Sequence, residues 1–545
     1  MKIHLAQINP TIGDLENNTN RILQEFKLAT EKNYDLAIFP EMAICGYICE
    51  DLLQKKYFFD AIKEQIVRIC QATLSSKCAI LVGSPTIDFS RIKKGVLHNS
   101  AILIENGEIK KIINKKTLPN YGVFDENRYF SSSNSLSYID FRGLTLAILV
   151  CEDLWDPKNL FLLQEQVFDF VISINASPYS QKKQQYRHNL ANNFCKTLNK
   201  SLIYLNQVGG QDSVVFDGNS FVMNCDGEFV IQMKSFEEDF ATIEILKDRK
   251  LLPLSIKPEP ESQLSKNYMA CVLGLRDYIK KSGFSQVIIG MSGGIDSALV
   301  ATIAVDSLGS DNVKLYALPS RYNSKNSMID AVECAKNLGV SLQVISIEDS
   351  FNTILNSIGQ ISNLAKENLQ PRIRGNILMA ISNTTNALLL STGNKSELAC
   401  GYATLYGDMC GAFNPIKDLY KTEVYELAKW RNQNISAISL HKKTNLIPQN
   451  ILTKPPTAEL RENQKDSDSL PEYEILDKIL FEIIEQENSI SDIIKLGFDK
   501  ELVKKVANLF YNSEYKRRQS CIGVKISEMS FDKERRYPIT NKFKS

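Results

Sequence analysis

The sequence predicts an α/β protein in two parts, and three observations carry that prediction. Short apolar strands alternate with amphipathic helical stretches through most of the chain, which is the pattern of packed α/β layers. At 545 residues the chain is too long for one hydrophobic core. A break at residues 247–264 carries Pro253, Pro258 and Pro260, which oppose regular structure. The reading is a first domain at 1–246, a linker at 247–264 and a second domain at 265–545.

In the first domain, strands are expected at Ile3–Asn9, Asp35–Phe39, Ala79–Ser84, Ser100–Ile104, Leu144–Val150, Phe170–Asn175 and Leu202–Asn206, each ending in polar or turn-forming residues. Three of these ends or their neighbours carry reactive side chains. They are Glu41 in Phe39-Pro-Glu-Met, Lys115 in the run from Asn114 to Glu126, and Cys151 in Leu149-Val-Cys-Glu-Asp-Leu-Trp155. Ligands in α/β proteins gather at strand ends. Cys151 follows an apolar strand and precedes a sharp polar turn, so its sulfur is placed as a nucleophile on an elbow. A thiolate attacking a carboxamide needs a base and an oxyanion partner, and Glu41 with Lys115 supplies both without histidine. Taken singly, each residue also fits a structural cysteine or a solvated charge.

In the second domain, strands are expected at Gln286–Gly290, Val313–Leu318, Leu342–Ile347 and Ala387–Leu390, separated by helices, which points to a doubly wound parallel sheet. The first strand runs into Gly290-Met-Ser-Gly-Gly-Ile-Asp-Ser297 and then a helical stretch, Ala298–Ala304. Two glycines let backbone N–H groups approach an anion, and the helix N-terminus adds partial positive charge. Ser292 and Ser297 add hydroxyls, and Asp296 is placed to hold magnesium. Neither GxxxxGK[ST] nor GxGxxG fits this loop. Downstream, Thr392 and Glu397 lie just past a strand, where a hydroxyl can meet ATP and a carboxylate can join Asp296 around a hard cation. Gln370-Pro-Arg-Ile-Arg-Gly-Asn376 offers Arg372 and Arg374 at an expected helix start, as a phosphate clamp or as a solvated face. The polar stretch 461–469 is a solvated loop or a segment folding over a ligand.

Composition excludes several classes. Lys+Arg 64 against Asp+Glu 63 gives a formal charge of +1, which argues against nucleic acid as a partner. No apolar run reaches the roughly 18 residues of a membrane helix, and the start reads as a strand and not as a signal peptide, so a cytoplasmic protein without membrane partners is expected. The 12 cysteines lack C-x-x-C pairs and read as small buried residues, Cys45 and Cys49 included. The four histidines have no metal-ligand spacing, against a zinc site or a Ser-His-Asp triad.

Residues 290–297 resemble the SGGxDS pyrophosphate loop of ATP-splitting, amide-forming enzymes, which implies cleavage between the α- and β-phosphates and adenylation of a carboxylate. Residues 1 to about 240 resemble the carbon-nitrogen hydrolase (nitrilase) superfamily, whose Glu-Lys-Cys order matches Glu41, Lys115 and Cys151. That resemblance implies an αββα sandwich, with Lys115 preferred by its Lys-x-x-Leu-Pro spacing and Lys116 as the fallback. It implies Glu152 as support behind the nucleophile, and Tyr121, Ser177 and Lys183 as glutamine contacts.

Residues 265–540 resemble the NAD synthetase family through Arg-Ile-Arg-Gly-Asn376, Ser-Thr-Gly-Asn-Lys-Ser-Glu397, Gly-Tyr-Ala-Thr-Leu-Tyr-Gly-Asp408, Lys-Pro-Pro-Thr-Ala-Glu-Leu460, Asp-Ser-Asp-Ser-Leu-Pro471 and Glu-Tyr-Lys-Arg-Arg-Gln519. By position, the loop residues Gly290, Met291, Ser292, Gly293, Gly294, Ile295, Asp296 and Ser297 contact ATP, as do Thr392, Lys421 and Thr457. Arg372, Asn376, Glu397, Tyr515 and Lys516 contact deamido-NAD, and Asp296 with Glu397 holds Mg²⁺. One departure stands out: an acidic residue expected shortly after Tyr-Gly-Asp falls near Gly411 or Ala412. Together the two resemblances imply glutamine as nitrogen source, deamido-NAD as acceptor, ATP as co-substrate and a homo-oligomer. A ligase with another acceptor, or a non-catalytic first domain, are the readings they compete with.

Overall fold

In a computed structural model, residues 1–88, 96–246, 250–253, 261–462, 464, 466–468 and 470–544 are described. They fall into two compact units, Met1–Gln211 with Val215–Pro260, and Asp212–Val214 with Glu261–Ser545.

The first unit contains two large sheets. One has seven strands, with Lys2–Gln7, Leu36–Ile38 and Ala79–Asp88 parallel at its centre. Val96–Glu105 and Glu108–Asn114 extend it antiparallel on one side. Asp239–Ile245 and Leu251–Pro253 extend it on the other. The second has six strands around a parallel core of Leu144–Val150, Phe170–Asn175 and Ser201–Asn206.

Period-two alternation sets how the layers stack. Along Leu144–Val150, Leu146, Ile148 and Val150 face a core shared with Ile3, Leu5 and Leu81 of the first sheet. Ala147 and Leu149 face the opposite way, into a second core with Phe194 and Cys195 of helix Lys183–Leu198. Helix, sheet, sheet and helix therefore stack as the expected αββα sandwich.

The expected strands of this unit are present. The added ones are mostly edge or antiparallel strands with polar residues on one face. Of the expected linker, residues 247–249 and 254–260, with Pro258 and Pro260, lie outside the described residues. Leu251–Pro253 pairs as an edge strand, and a helix capped by Ser262 starts at Gln263.

The second unit is built on a six-stranded all-parallel sheet, ordered Leu342–Val344, Val313–Ala317, Val287–Gly290, Leu388–Leu390, Phe413–Asn414, Ile522–Gly523. The order reverses between Val287–Gly290 and Leu388–Leu390, and crevices for ligands open at such switch points. Helix Ile295–Leu308 leaves the first of these strands, and every residue in it except Asp296 is buried. A helix buried on all sides belongs in a core, its one inner charge, Asp306, paired with Arg431, so Asp296 marks its single outlet.

One expectation needs correcting. Gln370–Asn376 is no helix start but the middle of Asn363–Thr385, with Pro371 inside it. The true start is capped eight residues earlier by Ser362, whose Oγ accepts from Ala365 N at 3.2 Å. That cap and two further turns carry the helix through the missing proline N–H.

Candidate active sites

In the first unit, Glu41, Lys115 and Cys151 come from three separate strand ends and are 0%, 1% and 3% exposed. Burial of so many charges requires pairing. Lys115 Nζ donates to Glu41 Oε1 at 2.9 Å and to Glu126 Oε1 at 3.0 Å. Asn99 Nδ2 donates to the same two oxygens at 2.6 and 3.2 Å. Glu41 Oε2 accepts from Ala176 N at 2.7 Å, and Tyr47 OH donates to Glu126 Oε1 at 2.8 Å. The alternation of strand Glu108–Asn114, which buries Ile113, continues to Lys115, so it is Lys115 and not Lys116 whose ammonium is buried among the carboxylates.

Cys151 has φ +47, in the left-handed region, at the head of the short turn Cys151–Leu154. A non-glycine residue held there is a strained nucleophile elbow. Asp153 holds the turn: its carboxylate accepts from Lys116 N at 2.9 Å, Thr117 N at 2.7 Å and Val150 N at 3.1 Å. The carboxylate thereby ties the cysteine turn to the lysine loop.

Burial first, and then the charge of Glu41, push the Cys151 thiol well up, while Lys115 draws it down. Resting Cys151 is a neutral thiol. Burial lowers Lys115, yet Glu126 and Glu41 more than reverse this and keep its ammonium charged. Burial raises Glu126 to about 7, with Lys115 pulling against it.

The expected glutamine contacts are spread around this core. Tyr121, half exposed, donates its hydroxyl to both carboxylate oxygens of Glu152 at 3.0 Å. Ser177 is buried, with Oγ accepting from Arg187 Nη2 at 3.3 Å. Lys183 Nζ stands 4.1 Å from the Trp155 ring centre.

In the second unit, a pocket of about 1180 Å³ opens at the switch point. Of the loop, Gly290, Met291, Ser292, Gly294, Ile295, Asp296 and Ser297 line it. Thr392, Glu397, Lys421, Thr457, Arg372, Tyr515 and Lys516 line it too. Gly293 is absent from the wall, packed against Ser327. Asn376 is exposed and is not among the lining residues. Arg374 also lines the pocket, donating to Leu318 O at 2.9 Å and Asn323 Oδ1 at 3.2 Å.

Lys421 Nζ pairs with Asp296 Oδ2 and lies 3.5 Å from Glu397 Oε1. Asn394 Nδ2 donates to Asp296 Oδ1 at 3.0 Å, while the Asn394 side chain caps helix Lys395–Cys400 and receives Glu397 in return. Burial lifts Glu397 to about 8; Lys421 opposes the lift, and Asp296 and Asp466 add to it. Asp466 accepts from Tyr473 OH at 3.0 Å, and residues 463, 465 and 469 of the polar stretch lie outside the described residues. Thr457 Oγ1 donates to Gln464 O at 2.6 Å, and Lys516 Nζ donates to Gly401 O and Ala403 O at 2.7 and 2.8 Å.

No acidic side chain could stand at Gly411: its φ is +145, and a Cβ there would lie 2.8 Å from Ser391 N. The nearby acid of this pocket wall is Asp408, which accepts from Thr404 N at 2.6 Å and is raised by burial to about 6.

Sequence reasoning missed Glu126, Asn99, Tyr47 and Asp153 in the first unit. In the second it missed Asn394 and Asp466 as partners of the expected site residues. The available signal was slight: Glu126 closes the run that begins at Lys115, and Asp153 and Asn394 sit within the quoted motifs.

Comparison with known proteins agrees with both geometries. Residues 2–249 match the carbon-nitrogen hydrolase family model, and residues 267–520 match NAD synthase. The glutamine-dependent NAD(+) synthetase of Acinetobacter baylyi is 42% identical over 546 residues, 99% of this chain and 98% of that protein. The one from Thermotoga maritima is 38% identical over 583 residues, 100% of this chain and 99% of that protein. The solved glutamine-dependent NAD+ synthetase from Acinetobacter baumannii, in complex with ADP, aligns with a TM-score of 0.78 at 38% identity, covering 99% of this chain and 98% of that one. With an acyl-transfer constellation in one unit, an anion loop at the switch point of the other, and relatives matching from end to end, the chain belongs to the glutamine-dependent NAD(+) synthetases.

Proposed function

We propose a division of the reaction between the two units. The enzyme is a ligase that hydrolyses glutamine and uses the ammonia to amidate ATP-activated deamido-NAD, giving NAD, AMP, pyrophosphate and glutamate. The observation that carries the glutaminase assignment is a charged, buried Lys115 held by Glu41 beside a strained, neutral Cys151.

Glu41 takes the Cys151 proton as the sulfur attacks the carboxamide carbon. Lys115 and its neighbouring donors meet the oxyanion. Collapse of the tetrahedral intermediate expels ammonia, which takes the proton back from Glu41, and water hydrolyses the thioester to glutamate. Glu126 and Asn99 fix the lysine and the base. Tyr121, Ser177 and Lys183 hold the glutamine.

In the second unit a nicotinate carboxylate oxygen attacks the α-phosphorus of ATP and pyrophosphate leaves onto the Ser292–Ser297 loop. Ammonia then attacks the mixed anhydride and AMP leaves. Thr392, Lys421 and Thr457 contact ATP; Arg372, Glu397, Tyr515 and Lys516 contact deamido-NAD. Asp296 and Glu397 fit a magnesium ion by their chemistry: both are carboxylates, and burial and like charge lift Glu397 to about 8, a strain that a dication relieves. Bound there, Mg²⁺ would offset phosphate charge.

The same reading makes the enzyme a cytoplasmic homo-oligomer. Among the described residues no helix is long and apolar enough to cross a membrane. Cys151→Ala tests the division of labour: NAD formation from glutamine is abolished, while formation from ammonium salts stays within about twofold. Equal loss with both nitrogen donors refutes it.

A further inference from the structure

We propose that Arg535, in the carboxy-terminal tail, is a positioning residue for deamido-NAD: it anchors Glu514 and with it the short helix Glu514–Arg517 that presents Tyr515 and Lys516 to the pocket. The proposal rests on the assignment of Tyr515 and Lys516 to the dinucleotide.

A helix of four residues has no stability of its own and is placed by whatever holds it. Its first residue, Glu514, is buried, and its carboxylate collects cations. Oε2 accepts from Arg517 Nε at 3.2 Å and Nη2 at 2.9 Å, and also from Arg535 Nη1. Arg518 Nε stands 3.4 Å from Oε1. Arg517 and Arg518 belong to the same short segment and move with it. Arg535 comes from 21 residues downstream and fixes the segment to something else.

Arg535 is well placed to act as a fixed point. Its guanidinium lies 3.9 Å from the Tyr537 ring centre and 4.6 Å from that of Phe510, so two aromatic faces hold the cation while the carboxylate orients it. The clasp closes in both directions, since Arg518 Nη2 donates to Tyr537 O at 2.7 Å. On its far side the segment meets the pocket wall. Arg517 Nη1 donates to Ala399 O at 2.7 Å, Ser513 Oγ donates to Cys400 O at 3.0 Å, and Lys516 Nζ donates to Gly401 O. The helix is thus held between the wall, which it helps to form, and the tail. Release from the tail leaves the wall contacts, with the bonds from Arg517 Nη2 to Phe510 O and from Ser513 Oγ to Leu509 O, to set the angle of Tyr515, a half-exposed side chain.

The role is distinguishable from plain stabilisation. Loss of stability alone lowers the midpoint of unfolding and the amount of active enzyme, but leaves both Michaelis constants unchanged. Loss of positioning raises KM for the ligand that Tyr515 and Lys516 meet and spares ATP.

The test uses the full-length enzyme with saturating ammonium chloride as nitrogen donor, so that glutamine hydrolysis plays no part. Steady-state constants are compared for wild type, Arg535→Lys, Arg535→Met, Tyr537→Leu and, as reference, Lys516→Ala. Arg535→Met is expected to raise KM for deamido-NAD about tenfold with KM for ATP and kcat within about twofold, and Arg535→Lys to fall between it and wild type. Tyr537→Leu shifts the same constant by a smaller factor. The proposal is overturned if Lys516→Ala raises KM for deamido-NAD while Arg535→Met leaves it unchanged or raises both constants equally. If Lys516→Ala itself has no effect, the dinucleotide assignment fails first and the proposal falls with it. Should Arg535→Met not fold, Tyr537→Leu decides by the same criteria.

Discussion

Gly293 and Gly294 are neighbours in the anion loop, yet they are glycines for different physical reasons, and alanine separates them. Gly293 has φ +79, and a Cβ there would lie 2.1 Å from Ser327 O and 2.9 Å from Ser327 C. A left-handed alanine costs about 1–2 kcal/mol. The carbonyl must also retreat by roughly 1 Å to reach even a tight contact. It cannot do so freely: Ser327 N is tied to Ser324 Oγ at 3.1 Å and Ser327 Oγ to Glu459 Oε1 at 2.8 Å. Overpacking against a held backbone adds about 1–2 kcal/mol, for a total of about 3. At about 2–4 °C per kcal/mol, the ligand-free midpoint of the second unit falls by about 6–12 °C.

Gly294 is different. Its φ of −87 and ψ of 165 suit any residue, and its Cβ would meet only Ser292 Oγ, at 3.3 Å. Gly294→Ala therefore keeps its midpoint within about 2 °C. The residue lines the pocket, so the added methyl stands where phosphate approaches, and the loss appears as a raised KM for ATP. Scanning fluorimetry without nucleotide, paired with pyrophosphate release in the presence of deamido-NAD and ammonium chloride, reads both effects. Gly293→Ala should lose about 10²-fold in turnover through displacement of the loop. Equal midpoints for the two variants, or a larger fall for Gly294→Ala, would refute the reasoning.

Two further predictions concern the first unit. Burial raises Glu126 from 4.5 to about 7, so between those values the folded state holds a proton that the unfolded state has released, and stability falls as pH rises. Glu126→Gln removes that decline; Asp153, raised to about 6, still contributes its own part below that pH, so the clearest difference in midpoint between variant and wild type lies between about pH 6 and 7. Asp153→Ala leaves three backbone N–H donors without their carboxylate at about 1–3 kcal/mol each, and is expected to lower the thermal midpoint and abolish glutamine hydrolysis together. A variant that keeps both would remove Asp153 as the tie between Lys115 and Cys151.

Much of the fold was legible because its signals are local. Apolar strands such as Leu144–Val150 announce themselves by composition, and the strand, loop and helix at 287–308 by glycine spacing. Strand Glu108–Asn114 was not legible: three of its first five residues are charged, all five are exposed, and only its end is buried. Among site residues, Glu41, Lys115 and Cys151 stood out through their flanks. Glu126 did not, since a glutamate among Asp125, Asn127 and Arg128 looks solvated, and its burial comes from Lys115, Tyr47 and Asn99, distant in sequence. Arg372 and Arg374 show what a helix start could not convey: two residues apart on a helix they leave it in different directions, yet both line the pocket, Arg372 exposed and donating to Leu405 O, Arg374 donating to Leu318 O and Asn323 Oδ1.

The two sites share an electrostatic problem and differ in how each can resolve it. In the first unit Glu41, Glu126 and Lys115 carry a formal sum of −1 if all are ionised, and all three side chains are buried. In the second, Asp296, Glu397 and Lys421 carry the same sum, with Asp466 adding to it. A buried excess charge is expensive, so each site tends to gain one positive charge. The first is closed around its carboxylates, and Glu126 Oε2 has no hydrogen-bond partner among the described residues, so the available charge is a proton, and Glu126 titrates near 7. The second opens onto a pocket of about 1180 Å³, through which a hydrated cation can arrive with the nucleotide. Closure thus suits the first site to proton transfer, and openness suits the second to a positive charge brought in from outside, with Lys421 set against its carboxylates as Lys115 is in the first.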